Sequence, residues 1–299
     1  MLHPNLRIVP LKPPKHKRPQ RDARENRSGP RPDQRLDRRP DRRTNQREGG
    51  RRSGRVKGAG GGAIWLYGRH PVFAALANPT RQIERLLATP SLLESEGEQL
   101  EALIKGRFPI EEADPKQLDR LIGPDSVHQG LAIAARPLDQ PDVAELRPAS
   151  DAATVVVIDQ ATDPRNVGAV IRAAAAFSAT AVVTTARSAP EETGALVKAT
   201  AGTFEQIAYV QATNLARAIR TLQEAGYWTV GLDGASETGL ADAPFDRPTA
   251  LVIGAEGRGL RRLTAEACDA LVRIPIAESV ESLNLATAAA IALYERSRK

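Results

Sequence analysis

The sequence predicts an α/β protein with two globular parts behind a basic, low-complexity arm. Three observations predict it. From residue 63 onward, short apolar runs alternate with helix-like stretches, the signature of strand–helix units. Thr154–Ile158 is an unbroken β-branched run, as expected of a strand buried on both faces. Charge is also split: residues 1–60 hold 19 of the 42 basic and 6 of the 36 acidic residues, whereas 61–299 hold 23 and 30. A length of 299 residues suits about two domains.

The arm, 1–62, is rich in Arg, Pro, Asp, Gln and Gly, with pairs such as Arg38-Arg39 and Arg51-Arg52. It has too little apolar surface to offset the entropy of ordering, so it is expected to be disordered. Clustered arginine also releases counterions from a polyanion, which makes it a candidate RNA-binding arm. It contains no aromatic residue for base stacking.

Residues 63–137 form the first globular unit. Ile64–Tyr67 leads into a helix over Pro71–Leu76. Strands are expected at Ile83–Ala88, Phe108–Ile110 and Gly130–Ala135, and helices at Leu92–Lys105 and Pro115–Ile122. The polar, proline-containing stretch 138–150 is expected to be a linker.

Residues 151–299 form the second unit. After Thr154–Ile158, Asp163-Pro164 fits a helix N-cap followed by proline in the first turn, with the helix running to about Ser178. Strands follow at Ala181–Thr184, Ile207–Val210, Trp228–Leu232, Ala250–Ile253 and Leu271–Ile274. Helices are expected at Glu191–Ala201, Asn214–Ala225 and Leu285–Arg298. This alternation implies a mostly parallel sheet with helices on both faces and a ligand crevice at the strands' carboxyl ends.

Several classes are excluded. The single cysteine, Cys268, precludes an intrachain disulfide and a cysteine-based zinc cluster. The four histidines have no metal-ligand spacing, so no metal is expected. No apolar run approaches the roughly 18 residues of a membrane span, and the N-terminus lacks a signal-peptide core. A cytoplasmic location without membrane partners is expected.

Three stretches beside strand ends carry candidate chemistry. In the first, Asn166 through Arg172, Arg172 is the only charge between Asn166 and Ala186. It either snorkels to solvent or aims a guanidinium at phosphate, with Gly168 at i−4 leaving space above it. Asn166 is either a helix-start residue or a polar group of the same pocket. The second is Gly254-Ala-Glu256-Gly257-Arg258-Gly259-Leu, a glycine-rich turn after a strand. Its spacing is not the dinucleotide G-x-G-x-x-G, which disfavours a nicotinamide oxidoreductase. Glu256 would repel phosphate and better suits a hydroxyl, an amine or a sulfonium. A simple tight turn is the other reading. In the third, Ile274-Pro … Ser282-Leu283-Asn284, Ser282 fits an N-cap of the last helix, with Asn284 in its first turn.

Together, in this order, these stretches closely resemble the three motifs of the SpoU (TrmH) family of RNA ribose 2′-O-methyltransferases. Tyr67-Gly-Arg-His-Pro-Val and His128-Gln-Gly resemble the family's N-terminal RNA-binding domain. The resemblance covers about four-fifths of the chain and omits the arm. It is strongest to the subgroup that methylates a guanosine of large-subunit (23S) rRNA. Ala255 stands where many tRNA-acting relatives carry Asn, which favours rRNA over tRNA.

The resemblance implies a C-terminal SPOUT-type trefoil-knot methyltransferase domain, a small α/β (L30e-like) RNA-binding domain and a homodimer whose active sites are shared. It implies S-adenosyl-methionine as cofactor, lined by Gly254, Ile274 and Leu283. It implies a catalytic surface of Asn166, Arg172, Glu256, Ser282 and Asn284. The family's arginine is assigned as general base. An arginine stays protonated in a protein, so Arg172 is read here as an electrostatic clamp on a phosphate and the nascent alkoxide. Arg187, Arg258, Arg261 and Arg262 are candidates for RNA backbone contact or solvated surface. The alternatives are a tRNA methyltransferase of the same family and a non-catalytic RNA-binding protein.

Overall fold

The computed structural model describes residues 62–299; the predicted arm, apart from Gly62, lies outside the described residues. The first part is a four-stranded sheet with three helices. Its elements are β1 (Ile64–Tyr67), α1 (Arg69–Ala77), β2 (Ile83–Ala88), α2 (Pro90–Ile104), β3 (Ile110–Glu112), α3 (Pro115–Ile122) and β4 (Leu131–Ala135). The strand order is β1-β4-β2-β3, with β4 antiparallel to both neighbours and β2 parallel to β3. Every residue of β4 is buried, as befits a strand central in its sheet. Asp114 caps α3 through the Gln117 N–H, and proline opens both α2 and α3. The short strand is Ile110–Glu112 rather than Phe108–Ile110, because its register is set by pairing with Leu86–Ala88.

The second part is a six-stranded, all-parallel sheet. It contains β5 (Thr154–Ile158), α4 (Pro164–Ala176), β6 (Ala181–Thr185), α5 (Gly194–Ala199), β7 (Ala208–Ala212), α6 (Leu215–Glu224), β8 (Trp228–Leu232), β9 (Thr249–Ile253), α7 (Arg262–Ala265), β10 (Ala270–Val272) and α8 (Leu285–Ser297). The order β10-β8-β9-β5-β6-β7 reverses direction at β5, so a crevice opens at the carboxyl ends of β5 and β9. β5, β6 and β9 are buried throughout. Asp163 caps α4 and Pro164 opens it, as expected.

One expectation is corrected here and another gains detail. The stretch 138–150, expected to be a linker, packs against the second part. Val143 and Leu146 are buried in the core with α6, and an Asp142–Glu145 capping box holds a single 3₁₀ turn. Gly168 does not leave open space: a Cβ there would lie 2.4 Å from the Ala199 Cβ, so the glycine admits α5 against α4.

One hydrophobic core runs from the first sheet into the second, joining Leu66, Val72 and Leu131 to Val156, Ile171 and Leu196. A buried ionic clasp spans the same junction. The Arg81 side chain is fully buried and donates to Glu192 and Glu205, each at 2.5 Å, and to the Arg136 carbonyl at 2.9 Å. Asn78 also donates to Glu205 at 2.7 Å, and the Leu138 N–H to Glu192 at 2.9 Å. The Gly-Arg-His and His-Gln-Gly motifs meet at the other end of β4, where the Gly68 N–H donates to the Leu131 carbonyl. Gln129 accepts from the Arg69 N–H at the start of α1 and from Lys198 of α5 at 2.7 Å.

Candidate active site

The glycine-rich turn folds back on itself at the end of β9. A Cβ on Gly254 would lie 2.1 Å from the Gly259 carbonyl carbon, so only glycine fits there. Gly257 and Gly259 have φ of +70° and +63°, a region other residues avoid. Asp159, fully buried at the end of β5, pins the turn's far side. It accepts the Arg261 N–H at 3.0 Å and pairs with the Arg261 guanidinium at 2.6 Å. Asp159 escaped the sequence reading, although a lone aspartate closing an apolar strand was a usable signal.

The turn holds Glu256 between the first turn of α4 and the start of α8. Its Oε1 accepts from the Asn284 amide at 2.7 Å, the Asn166 amide at 3.0 Å and the Leu285 N–H at 3.2 Å. Asn166, Glu256 and Asn284, predicted from three separate stretches, therefore form one network. The cap of α8 differs from the expectation. Asn284, not Ser282, accepts from the Ala286 and Thr287 N–H groups, because the helix begins at Leu285. Asn284 thus uses its oxygen to start the helix and its amide to hold Glu256.

A cleft of about 320 Å³ lies on one side of Glu256. Gly254, Glu256, Ile274, Ser282 and Leu283 all line it, as do Leu232, Gly234 and Ile253. The β8 end, Leu232-Asp233-Gly234, was missed, although an Asp-Gly turn after an apolar strand is the same kind of signal as the Gly254 turn. No atom lies within 4 Å of where a Gly234 Cβ would stand. Apolar walls with carboxylates from Asp233, Glu256 and Glu281 suit a flat heterocycle joined to a cationic group. The cleft's volume is at the lower end of the range for small-molecule sites.

A second cleft, about 760 Å³, lies on the other side and shares Ala255, Glu256 and Arg258 with the first. Arg187, Arg258, Arg261 and Arg262 line it, and Glu256 is its only acidic lining residue. One small apolar cleft and one arginine-lined cleft thus meet at a single carboxylate.

Arg172 stands apart. It is exposed and has no hydrogen-bond or ion-pair partner among the described residues. Six residues separate it from Asn166 on α4, which is about 9 Å along the axis and a third of a turn around. It therefore does not join the Asn166–Glu256–Asn284 network.

Comparison with known proteins decides the family. The profile of the SpoU rRNA Methylase family matches residues 153–294, and that of RNA 2′-O ribose methyltransferase substrate binding matches 65–141. The 23S rRNA (guanosine-2′-O-)-methyltransferase RlmB of Shewanella oneidensis is 37% identical over 242 residues, covering 78% of this chain and 96% of that protein. The chain belongs to the SpoU rRNA methylase family. RlmB of Pseudomonas putida is 34% identical over 239 residues, covering 78% and 96%. Among solved structures, an AdoMet-bound rRNA methyltransferase from Sinorhizobium meliloti superposes with a TM-score of 0.68 at 26% identity, covering 79% of this chain and 87% of that one. The six-stranded part of this SpoU protein is accordingly a SPOUT-type trefoil-knot methyltransferase domain. Among the described residues, no helix is long and apolar enough to cross a membrane, and no group of three His, Cys, Asp or Glu is placed to hold a metal.

Proposed function

We propose that this protein methylates the ribose 2′-hydroxyl of a guanosine in large-subunit rRNA, using S-adenosyl-methionine. The observation that carries this reading is the meeting of the two clefts at Glu256, inside the stretch 153–294 that matches the SpoU family profile.

Gly254, Ile274 and Leu283, with Leu232 and Ile253, would hold the cofactor in the apolar cleft. The cofactor supplies an electrophilic methyl group on a sulfonium. The Glu256 carboxylate favours that positive centre, and its three hydrogen-bond donors fix it in place. Arg187, Arg258 and Arg262 bind the RNA backbone in the larger cleft, while Arg261 is shared with Asp159. Ser282 at the cleft wall and the Asn166 and Asn284 amides orient the ribose. The 2′-oxygen becomes a good nucleophile only as its proton leaves, and the proton passes to water or to a substrate phosphate. A fixed positive charge that stabilises the nascent alkoxide lowers this barrier, and Arg172 supplies it.

Because Arg172 lies outside its own chain's network, the reading places it at the active site of a second copy. A homodimer with two composite sites follows. Ile291 and Tyr294 of α8 are large apolar residues left exposed, with Tyr294 edge-on to Phe177 near the end of α4, and they suit a partner surface.

The test is methyl transfer in solution. Purified protein, labelled S-adenosyl-methionine and either protein-free 23S rRNA or bulk tRNA are incubated, and the RNA is digested to nucleosides. Label in 2′-O-methylguanosine from the rRNA supports the reading. Label in a base, or only in tRNA, contradicts it.

A further inference from the structure

The arginines of the methyltransferase domain are unevenly placed. Residues 151–299 contain 14 basic and 17 acidic residues. Six of the basic ones, but only Glu256 and Glu266 of the acidic ones, line two adjoining clefts. The first is the arginine-lined cleft beside Glu256. The second, between α6 and α7, is bordered by Arg217 and Arg220 and shares Asn214, Ala216 and Leu263 with the first, so the two are continuous.

Arg217 and Arg220 lie three apart on α6, hence on one face, and both are exposed. Neither has an ion-pair partner among the described residues, whereas Arg262 next door pairs with Glu266 at 2.7 Å. Two like charges so placed repel each other and stabilise the helix only when an anion joins them. Between them and the first cleft stands Leu263, 60% exposed, which is unusual for a leucine ringed by arginines. A charged backbone over the arginines and the apolar face of a base or ribose over Leu263 fit this pattern together. On the other side of α6 the surface changes sign. The groove between 137–145 and β7 is lined by Asp142, Glu145, Glu191 and Glu192, with Arg217 at its α6 rim as its single basic residue, so its net charge disfavours a polyanion.

We propose that single-stranded RNA flanking the methylated nucleotide leaves the active site over Leu263 and along the α6–α7 groove, with Arg217 and Arg220 each holding a phosphate. The inference rests on the methyltransferase reading, since it needs the target ribose at Glu256. It fixes the direction of the strand: toward α6 and α7, and away from the acidic groove.

The experiment compares the full-length wild type with the Arg217→Ala/Arg220→Ala double variant. Affinity for a large-subunit rRNA fragment is measured against salt concentration. Loss of two phosphate contacts to single-stranded RNA lowers the slope of log Kd against log salt by about 1.4. The Kd for S-adenosyl-methionine and kcat at saturating RNA stay at wild-type values, which also shows the variant is folded. Leu263→Ala weakens RNA binding without changing the slope. An unchanged slope in the Arg217→Ala/Arg220→Ala variant overturns the proposed path. Failure of the wild type itself to bind RNA overturns the methyltransferase reading instead.

Discussion

The Asn284 amide donates to the Glu256 carboxylate at 2.7 Å while the Asn284 side-chain oxygen caps α8. One side chain therefore fixes both a helix start and a carboxylate between two clefts. The two roles separate by substitution. Asn284→Asp keeps a good cap but sets a second carboxylate against Glu256. It is expected to hold Tm near wild type while methyl transfer falls at least tenfold. Asn284→Ala loses both roles, and its missing cap costs about 1 kcal/mol in a denaturant titration. Full activity in Asn284→Asp would show that the network has no part in the reaction.

The Arg81 clasp is expected to hold the two sheets together. Arg81→Met leaves Glu192 and Glu205 buried without their cation, and breaking a buried pair this way costs about 3 to 5 kcal/mol. Burial already pushes the Glu192 carboxyl above its ordinary range despite Arg81. Without Arg81 the folded-state value rises further, so the folded form binds protons that the unfolded chain releases. The variant's stability is then highest below the ordinary carboxylate range and is lost as pH rises through the raised value. Urea midpoints at pH 5 and pH 8 check this; a smaller deficit at pH 8 than at pH 5 contradicts it.

Gly168→Ala tests the close approach of α4 and α5. Alanine gains about 1 kcal/mol of helix preference. The new Cβ meets Ala199 at 2.4 Å, and overpacking costs about 1 to 3 kcal/mol. A lower Tm is expected, with weaker methyl transfer because α4 carries Asn166. A raised Tm would mean that the helices are free to separate.

Cys268 is expected to resist alkylation. Burial, then Asp269 and Asp159, push its thiol from 9.0 to about 12. At pH 8 only about one thiol in ten thousand is ionised, and the thiolate is the reactive form. Since the folded value is the higher one, this residue's contribution to stability is complete below about pH 8.5 and is lost as pH rises toward 12. Rapid maleimide labelling of the native protein at pH 7 contradicts this.

Much of this was legible in the sequence because the signals were local. Thr154–Ile158 announced a central strand by its unbroken β-branched run, and Asp163-Pro164 announced the start of α4. The Glu256 turn stood out by its glycines and carboxylate after a strand, and Asn284 as a polar residue at a helix start. What stayed hidden is long-range. Arg81 lies 111 residues from Glu192 and 124 from Glu205, and none of the three looks special in its own neighbourhood. The four-residue α7 was too short to show a period. Ser282 reads as the cap because serine suits that position and Asn284 then falls in the first turn; only packing of Leu285 into the core shows that the helix starts two residues later.

The account centres on a ribose methyl group placed on rRNA by a site that needs Arg172. Mapping 2′-O-methyl groups in total RNA from cells with and without the gene tests this most directly. One guanosine of 23S rRNA should lose its methyl group, the wild-type gene should restore it, and Arg172→Ala should not. A complete set of rRNA marks in the deleted cells, with a tRNA mark missing instead, would contradict the assignment.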